Sequence, residues 1–448
     1  MVVVPRFAAV FGCFFILGSG AIQSHAVSLG EGLALISRSG REIAVSGAET
    51  AILQSGPILA GSAWKPTVDV YARETLLAYQ PQSVFGSQSV PVAERDSFSL
   101  GVKVRQLLFD FGRTDATVRA AALDVETKQL ETALVRNRSA LQFILTYIRL
   151  LRAEKLLALQ EQEVTRFEAH RNDTRSLLEE GTITENDLLQ AEVRLSDAVQ
   201  RRLQAENLRA LAAAQTNSLL QRPLALPVAT QEVSGPAAAV AENNLDEALA
   251  TAVLERSEFT GIRKRLASTE ERRTAVRKEY YPKIYVGGGY DYTQNEFTVH
   301  EGNWSLQAGL DFNIFAGGVT GEKLRQKERE LFLIERMREQ LLDAVRLEVQ
   351  EGFLSLQTAR SRVGATERAV AQAQEHLRLQ RLRYVEGVGT ATEVLDAVSL
   401  ATTAEQNFLN ARYDVTEARA RLGFAVGSDL VAAWGGDVRT TGKGEDHE

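Results

Sequence analysis

Two stretches of the chain carry apolar residues at the three- and four-residue spacing of a helix over an unusual length. Residues 114–180 and 320–386 each span about 67 positions, and arginine, glutamate and glutamine fill the faces opposite the apolar line. In the second stretch that line consists of Leu331, Ile334, Leu341, Val345, Val349, Phe353, Leu356 and Val363. The pattern predicts helices of roughly 100 Å. Such helices must bury their apolar line against other helices, as in a coiled coil.

Each long helix is followed by a short interruption and a second helical segment. The interruptions are similar, "EGTITENDLLQAE" at 180–192 and "EGVGTATEVLDAV" at 386–398. The helical patterns resume over 184–220 and 391–426. The chain is therefore predicted to form two long helical hairpins, with tips at 181–184 and 387–390.

Four shorter segments alternate apolar and polar residues with the period of a strand. They lie at about 66–79, 97–109, 282–293 and 303–315, and "FSLGVKVRQ" and "WSLQAGLDFNIF" show the alternation most clearly. Strands with one apolar and one polar face are typical of a barrel in an outer membrane. An ordinary soluble sandwich is the alternative, but it would need more strands and would not be interrupted by helices this long.

Four strands are too few to close a membrane barrel by themselves. Bacterial barrels begin at about eight strands, and an open sheet edge is not tolerated in lipid. The chain is therefore expected to pool its strands with copies of itself. A symmetric ring of three would supply twelve strands.

The two halves of the chain repeat each other. Pro66 aligns with Pro282, an offset of 216, whereas "LLFDFGRT" (107–114) aligns with "NIFAGGVT" (313–320) at an offset of 206. The offset stays at 206 through both helical tips, as the pairs Gly181/Gly387 and Thr184/Thr390 show. The first half thus has ten extra residues within a stretch whose composition predicts a loop, "YQPQSVFGSQSVPVAER".

This duplication divides the chain into five parts. A first repeat covers 27–220 and a second covers 244–427, each with an initial helix, two strands and a helical hairpin. A proline-containing linker at 221–243 joins them, residues 1–26 precede them, and a polar C-terminal tail occupies 428–448.

Composition and charge exclude some functions. The chain has 448 residues, a net charge of −7 and 24% charged residues, which argues against a nucleic-acid-binding protein with its basic surface. The first 26 residues contain one charged side chain, Arg6, then an apolar run and "SHA", which is typical of a secretory signal peptide. A retained amphipathic or membrane anchor is the alternative. The single cysteine, Cys13, lies in this segment and not behind a lipobox, so neither a lipoprotein nor disulfide chemistry is expected.

These features together resemble the TolC-type outer-membrane efflux family, also called outer membrane factors, over about residues 28–427. The resemblance rests on the predicted signal peptide, the duplicated halves, the strand-to-helix corners "LFDFGRT" and "NIFAGGVT", and the tips "EGTITENDLLQAE" and "RYVEGVGTATEVLDA". It implies a mostly α-helical chain whose homotrimer forms a 12-stranded membrane β-barrel in outer-membrane lipid, continued by an α-helical barrel across the periplasm. It also implies an exit channel for tripartite efflux or type I secretion, which works with a periplasmic adaptor and an inner-membrane transporter. It leaves the cargo open.

The tips are the first candidate site. Gly181 and Gly387 are suited to end a helix, and Thr184 and Thr390 to cap the next one, with an acid three residues on as in a capping box. Capping alone is one explanation of these residues. The resemblance adds that the turns meet the adaptor, through Gly181, Thr182, Thr184, Gly387, Gly389 and Thr390.

The acids beyond the second tip are the other candidate site. Glu393 and Asp396 lie one turn apart, and a threefold assembly would make each a ring of three acids, which favours cations at a pore mouth. The resemblance implies that these acids line the closed constriction and that Tyr384 and Asp187 help to hold it shut. Gly389 departs from relatives that have a locking arginine there. The counterpart of Asp396 in the first half is Gln190, and a solvated helix acid is the alternative explanation of Asp396.

The sequence offers no pattern for other chemistry. The five histidines are scattered, without an i, i+4 pair suited to a metal, and no catalytic Ser/His/Asp arrangement is evident. Neither an enzyme nor a cofactor is expected. A periplasmic coiled-coil scaffold without a pore is the alternative to the channel.

Overall fold

A computed structural model describes residues 27–233, 235–236 and 242–436. The predicted signal peptide, 1–26, and the end of the chain from 437 lie outside the described residues.

Long antiparallel helices make up most of each half. Those of the first half are α1 (Leu29–Ser39), α2 (Arg41–Gly61), α3 (Arg113–Glu179) and α4 (Glu185–Leu219). The second half has α5 (Leu245–Glu255), α6 (Ser257–Arg277), α7 (Val319–Val385) and α8 (Ala391–Ala425), followed by a short α9 (Leu430–Trp434). Corresponding helices have equal lengths, with 67 residues in both α3 and α7 and 35 in both α4 and α8. In the described part of the chain, no helix has the length and apolarity that a membrane crossing requires.

The strands form one main sheet and a small hairpin. They are β1 (Thr67–Leu76), β2 (Gln82–Phe85), β3 (Gln88–Pro91), β4 (Asp96–Phe109), β5 (Lys283–Thr293) and β6 (Gly302–Asp311). The main sheet is antiparallel in the order β1-β4-β5-β6, and β2 pairs only with β3. The predicted loop in the first half therefore contains a two-stranded hairpin, which turns at Gly86 with a left-handed φ of 65°.

One predicted strand ends earlier than its apolar pattern. The alternation continues to Ile314, but β6 ends at Asp311. Gly317 and Gly318 both have left-handed φ values, 61° and 81°, and they turn the chain into α7. The last apolar residues of the pattern thus belong to this turn.

The duplication extends to the register of the sheet. Val70 pairs with Val102 in the first half, and Val286 pairs with Ala308 in the second, so each partner is displaced by the same offsets of 216 and 206 found in the sequence. This agreement confirms the fold of duplicated halves, each with a β-hairpin and a long helical hairpin.

The sheet has one apolar face that the single chain leaves uncovered. Val102, Tyr290 and Trp304 stand side by side on this face, where Trp304 is 79% exposed. On the other face, Lys103 lies near Asp291, and Arg105 forms an ion pair with Asp311 at 2.8 Å.

The largest apolar core lies where the two halves meet. Phe143 and Tyr147 of α3 are fully buried there, beside α1, α8 and α9. The Tyr147 hydroxyl donates to the carbonyl of Val27 (2.9 Å) and accepts from the amide of Gln231 (2.7 Å), so it fixes both the start of the first half and the linker.

The start of the predicted C-terminal tail belongs to this core. Residues 430–434 form α9, and Leu430 and Trp434 are 1% and 5% exposed. The sequence prediction placed the tail from 428, but these apolar side chains bury themselves against α1 and α3.

Candidate functional site at the hairpin tips

The two helical tips share the same backbone turn. Gly181 and Gly387 each have a φ of 74°, a left-handed conformation that glycine adopts without strain. The next amide then reaches back five residues, from Thr182 to the Leu177 carbonyl and from Val388 to the Arg383 carbonyl, both at 3.0 Å. This is the hydrogen bonding of a glycine-terminated helix.

The threonines after each turn cap the following helix together with an acid. Glu393 accepts from the Thr390 amide at 3.0 Å, and the Thr390 hydroxyl accepts from the Glu393 amide at 3.3 Å. In the first half, the Asp187 carboxylate accepts from the Thr184 amide at 3.1 Å and from its hydroxyl at 2.8 Å. Both acids therefore have a capping role in addition to any role in a pore.

The side chain of Tyr384 is buried where the second half packs against the first. It is 7% exposed, and its hydroxyl is 3.4 Å from the hydroxyl of Thr174 on α3. Burial raises the pKa of the Tyr384 hydroxyl, and the nearby charge of Asp187 raises that pKa further. Tyr384 and Asp187 are thus close enough to interact electrostatically, although their hydrogen bonds go to other residues.

Asp396 is exposed and faces the first half. Its carboxylate is 3.4 Å from the guanidinium of Arg194 on α4, and the hydroxyl of Thr392 donates to the side-chain oxygen of Gln190 at 3.1 Å. These two contacts join the beginnings of α4 and α8. Sequence reasoning missed Arg194, although it lies one helical turn after Gln190, the counterpart of Asp396.

Gly389 occupies a crowded position. Its amide donates to the Arg383 carbonyl at 3.0 Å, and a Cβ atom there would lie 3.1 Å from the Tyr384 amide nitrogen. The structure therefore gives a local reason for a glycine at this position, since a side chain would press on the end of α7.

The site also contains a histidine that the sequence analysis did not select. His170 of α3 is 4% exposed and packs against the ring of Tyr384, with 5.3 Å between ring centroids. The available signal was the offset of 206, which pairs His170 with His376.

The described residues include no group of three or more His, Cys, Asp or Glu side chains placed to hold a metal ion. The chemistry of the site is that of capped turns, a buried aromatic contact, two half-buried acids (Asp187 and Glu393) and one exposed acid (Asp396).

Comparison with known proteins identifies the family. Residues 43–220 and 248–428 match the profile of the outer membrane efflux proteins, so both halves of the duplication are covered. The chain belongs to the outer membrane efflux protein family. It is 24% identical over 361 residues to the outer membrane efflux protein BepC of Brucella suis biovar 1 (strain 1330), and the match covers 78% of this chain and 77% of BepC.

Solved structures show the same fold at low sequence identity. CusC, studied for the conformational changes that accompany folding and transmembrane channel formation, has a TM-score of 0.77 and 17% identity, covering 89% of this chain and 92% of CusC. The open state of the MtrE outer membrane channel of Neisseria gonorrhoeae has a TM-score of 0.71 and 18% identity, covering 90% of each chain.

These findings confirm the predicted fold class, function and location. The efflux protein is an outer-membrane exit channel that extends into the periplasm. Its family and fold are those of outer-membrane channels and not of known enzymes.

Proposed function

We propose that three copies of this efflux protein form one duct, in which their sheets close a 12-stranded barrel and their helices continue it into the periplasm. The main observation in support of this assembly is the open sheet. Its edge strands, β1 and β6, each leave one side without a partner strand in the described chain, and its apolar face is exposed. An open edge is not stable in lipid. Joining β6 of each copy to β1 of the next removes every edge.

Exposed apolar side chains on the helices support the same assembly. Ile52 and Leu59 of α2 are 73% and 70% exposed, and Phe332 and Leu333 of α7 are 58% and 55% exposed. Burying apolar surface is worth about 25 cal/mol per Å². Contacts between copies would cover these side chains.

The tips are the proposed docking site for a periplasmic adaptor, which links the duct to an inner-membrane transporter. The six residues predicted for this contact lie at the two turns, and Thr182, Gly387 and Thr390 are exposed there. The family and BepC are both described as efflux proteins, which favours efflux over protein secretion.

The acids and Tyr384 form the proposed gate. Rings of Glu393 and Asp396 would set the charge at the narrow end of the duct. Asp187 and Tyr384 would hold the first and second halves together, because Asp187 fixes the start of α4 and Tyr384 of α7 packs against Thr174 of α3.

A planar-bilayer experiment tests the channel. Purified protein without its signal peptide should form conducting pores, and the variant Glu393→Gln/Asp396→Asn should conduct with lower cation selectivity. Absence of conduction from both proteins would contradict the proposal. Cell fractionation separates the alternative, since a periplasmic scaffold would be soluble without detergent whereas the channel requires detergent.

Crosslinking tests the adaptor contact. Val388 is 69% exposed at the second tip, and Val388→Cys should capture an adaptor through a heterobifunctional crosslinker. Leu347→Cys, 58% exposed in the middle of α7, is the control. Equal capture from both positions would contradict docking at the tips.

A further inference from the structure

His170 is a buried ionisable residue at the junction of the two hairpins. It lies on α3, eleven residues before the tip glycine Gly181, and its ring contacts Tyr384, three residues before Gly387. The rings are inclined by 55° with their centroids 5.3 Å apart. One aromatic contact near both tips therefore joins α3 of the first half to α7 of the second.

The surroundings of His170 suit a neutral ring. Its Nε2 has no hydrogen-bond partner among the described residues. The neighbouring Thr174 is fully buried, and its hydroxyl donates to the His170 carbonyl oxygen and not to the ring. A protonated imidazole carries a proton on both nitrogens, so protonation would place an N–H without an acceptor in this contact.

Charges from both packed helices act on the ring. Asp173 of α3 favours the protonated form, and Arg381 of α7 opposes it. Tyr384 faces the ring as a neutral group, because burial raises the pKa of its hydroxyl and the charge of Asp187 on α4 raises that pKa further. The effect of burial is the largest, and it lowers the pKa of His170.

We propose that His170 is a pH sensor of the periplasmic end: its neutral ring holds the two tips together, and its protonation releases them. The proposal rests on the proposed function, in which the tips form the gate. The channel would therefore open more readily in acid.

The direction of this effect follows from linkage. A ring released from the contact regains an ordinary pKa near 6.5, whereas the packed ring has a lower pKa. As the pH falls below about 6.5, the released ring binds a proton more readily than the packed ring. The packed contact therefore loses stability until the pH also falls below the pKa of the packed ring. Each unit of difference between the two pKa values changes the closed-to-open equilibrium about tenfold per histidine.

The second half provides a matched control. His376 occupies the equivalent position, 206 residues later, but its side chain is exposed. Because its side chain is exposed, His376 lacks the burial that the proposal requires of His170, so it should not contribute to the response within one chain.

Conductance in planar bilayers measures the response between pH 8 and pH 5. We expect the open fraction of the unaltered channel to rise as the pH falls below about 6.5. The rise should be lost in His170→Phe, which keeps an aromatic ring against Tyr384, and in His170→Gln, which has the polarity without the charge. His376→Gln should keep the rise.

The outcomes separate the sensor from the channel. Channels that conduct and keep the acid response in both His170 variants would overturn the sensor and leave the proposed function intact. An acid response lost only in His376→Gln would also overturn it.

A second measurement does not depend on conduction. Spin labels at Thr182→Cys and Val388→Cys, in labelled chains diluted with unlabelled ones, report the distance between the two tips of one chain. This distance should increase in acid and stay constant when His170→Phe is added. If the protein failed to conduct at any pH, the proposed channel function would be contradicted. The distances would still test whether His170 responds to pH. A distance that does not change with pH, or that changes equally when His170→Phe is present, would overturn the proposed role of His170.

Discussion

Asp396 carries a negative charge at a position where the first half of the chain has Gln190, and Arg194 lies beside that charge. The guanidinium and carboxylate are 3.4 Å apart, and both side chains are largely exposed, 45% and 66%. An exposed pair contributes only about 0.2–1 kcal/mol to stability. The pair therefore matters mainly for the charge at the tips, because in a trimer three Arg194 residues would offset the negative charge of three Asp396 residues.

We expect Arg194→Gln to increase the cation selectivity of the channel with little change in its thermal stability. The substitution removes one positive charge per chain next to Asp396, so the field at the narrow end becomes more negative. Reversal potentials in a salt gradient measure this change, and Arg194→Lys should preserve the original selectivity. Arg175→Gln is the matched control, since Arg175 lies at the same tip but beside Glu192. Equal shifts in both glutamine variants would contradict a specific effect on Asp396.

Thr390 tests how far the tip residues act as caps. We expect Thr390→Ala to destabilise the first turn of α8 by about 1 kcal/mol, because the Glu393 amide loses its acceptor. Hydrogen exchange of the amides at 391–394 should become severalfold faster, while Thr390→Ser should restore protection. Unchanged exchange would mean that the cap does not stabilise the turn. Adaptor capture from Val388→Cys in the same variants separates capping from docking.

At the scale of elements, the two corners between sheet and long helix differ. In the first half, Asp110 is 2% exposed and accepts from the Thr114 amide at 2.8 Å and the Gly112 amide at 3.2 Å, so it caps α3. The second half has Ala316 at this position and Gly317 where the first half has Phe111. Phe111 adopts a left-handed φ of 59°, which its stacking on Tyr281 helps to maintain.

We therefore expect Asp110→Ala to destabilise the first corner by about 1–2 kcal/mol, the usual cost of a lost cap. Asp110→Asn keeps an oxygen acceptor and should lose less. Hydrogen exchange at 112–116 measures the local effect, and the corresponding amides at 318–322 serve as an internal control. Loss of protection at both corners would indicate global unfolding instead of a local cap.

Elements with a long repeating pattern were the most predictable from sequence. The 67-residue helices and the four strands of the sheet each provide many positions of one periodicity. The five-residue α9 and the four-residue strands β2 and β3 provide too few, so the first was assigned to the tail and the others to a loop. Their formation depends on tertiary burial and on a turn.

The site was predictable only in its local part. The capping pairs Thr184/Asp187 and Thr390/Glu393 lie three residues apart and follow a known motif. The contacts His170–Tyr384 and Arg194–Asp396 join residues more than 200 positions apart in the sequence. Sequence spacing does not report such contacts.

At the scale of the whole molecule, the duplication predicts how copies join. Within the chain, β4 of the first half pairs with β5 of the second, with Val104 opposite Gly288. Adding 206 to the first position and subtracting 216 from the second gives Leu310 of β6 and Ala72 of β1. The same offsets already relate the β1–β4 register to the β5–β6 register. The interface between copies should therefore place Leu310 opposite Ala72 of the partner subunit, both on the apolar face.

A pair of cysteines tests this register. The double variant Leu310→Cys/Ala72→Cys places one cysteine on each edge strand. In the proposed register, Cα atoms of directly opposed residues lie within the separation of about 4.4–6.8 Å that a disulfide needs. Mild oxidation should therefore link neighbouring chains. Denaturing gels without reductant should then show a ladder that stops at three chains, because a closed ring has no free edge. Leu310→Cys/Arg73→Cys is the control, since Arg73 points to the opposite face and should crosslink poorly. A ladder beyond three chains, or efficient crosslinking in the control only, would contradict a three-membered ring with this register.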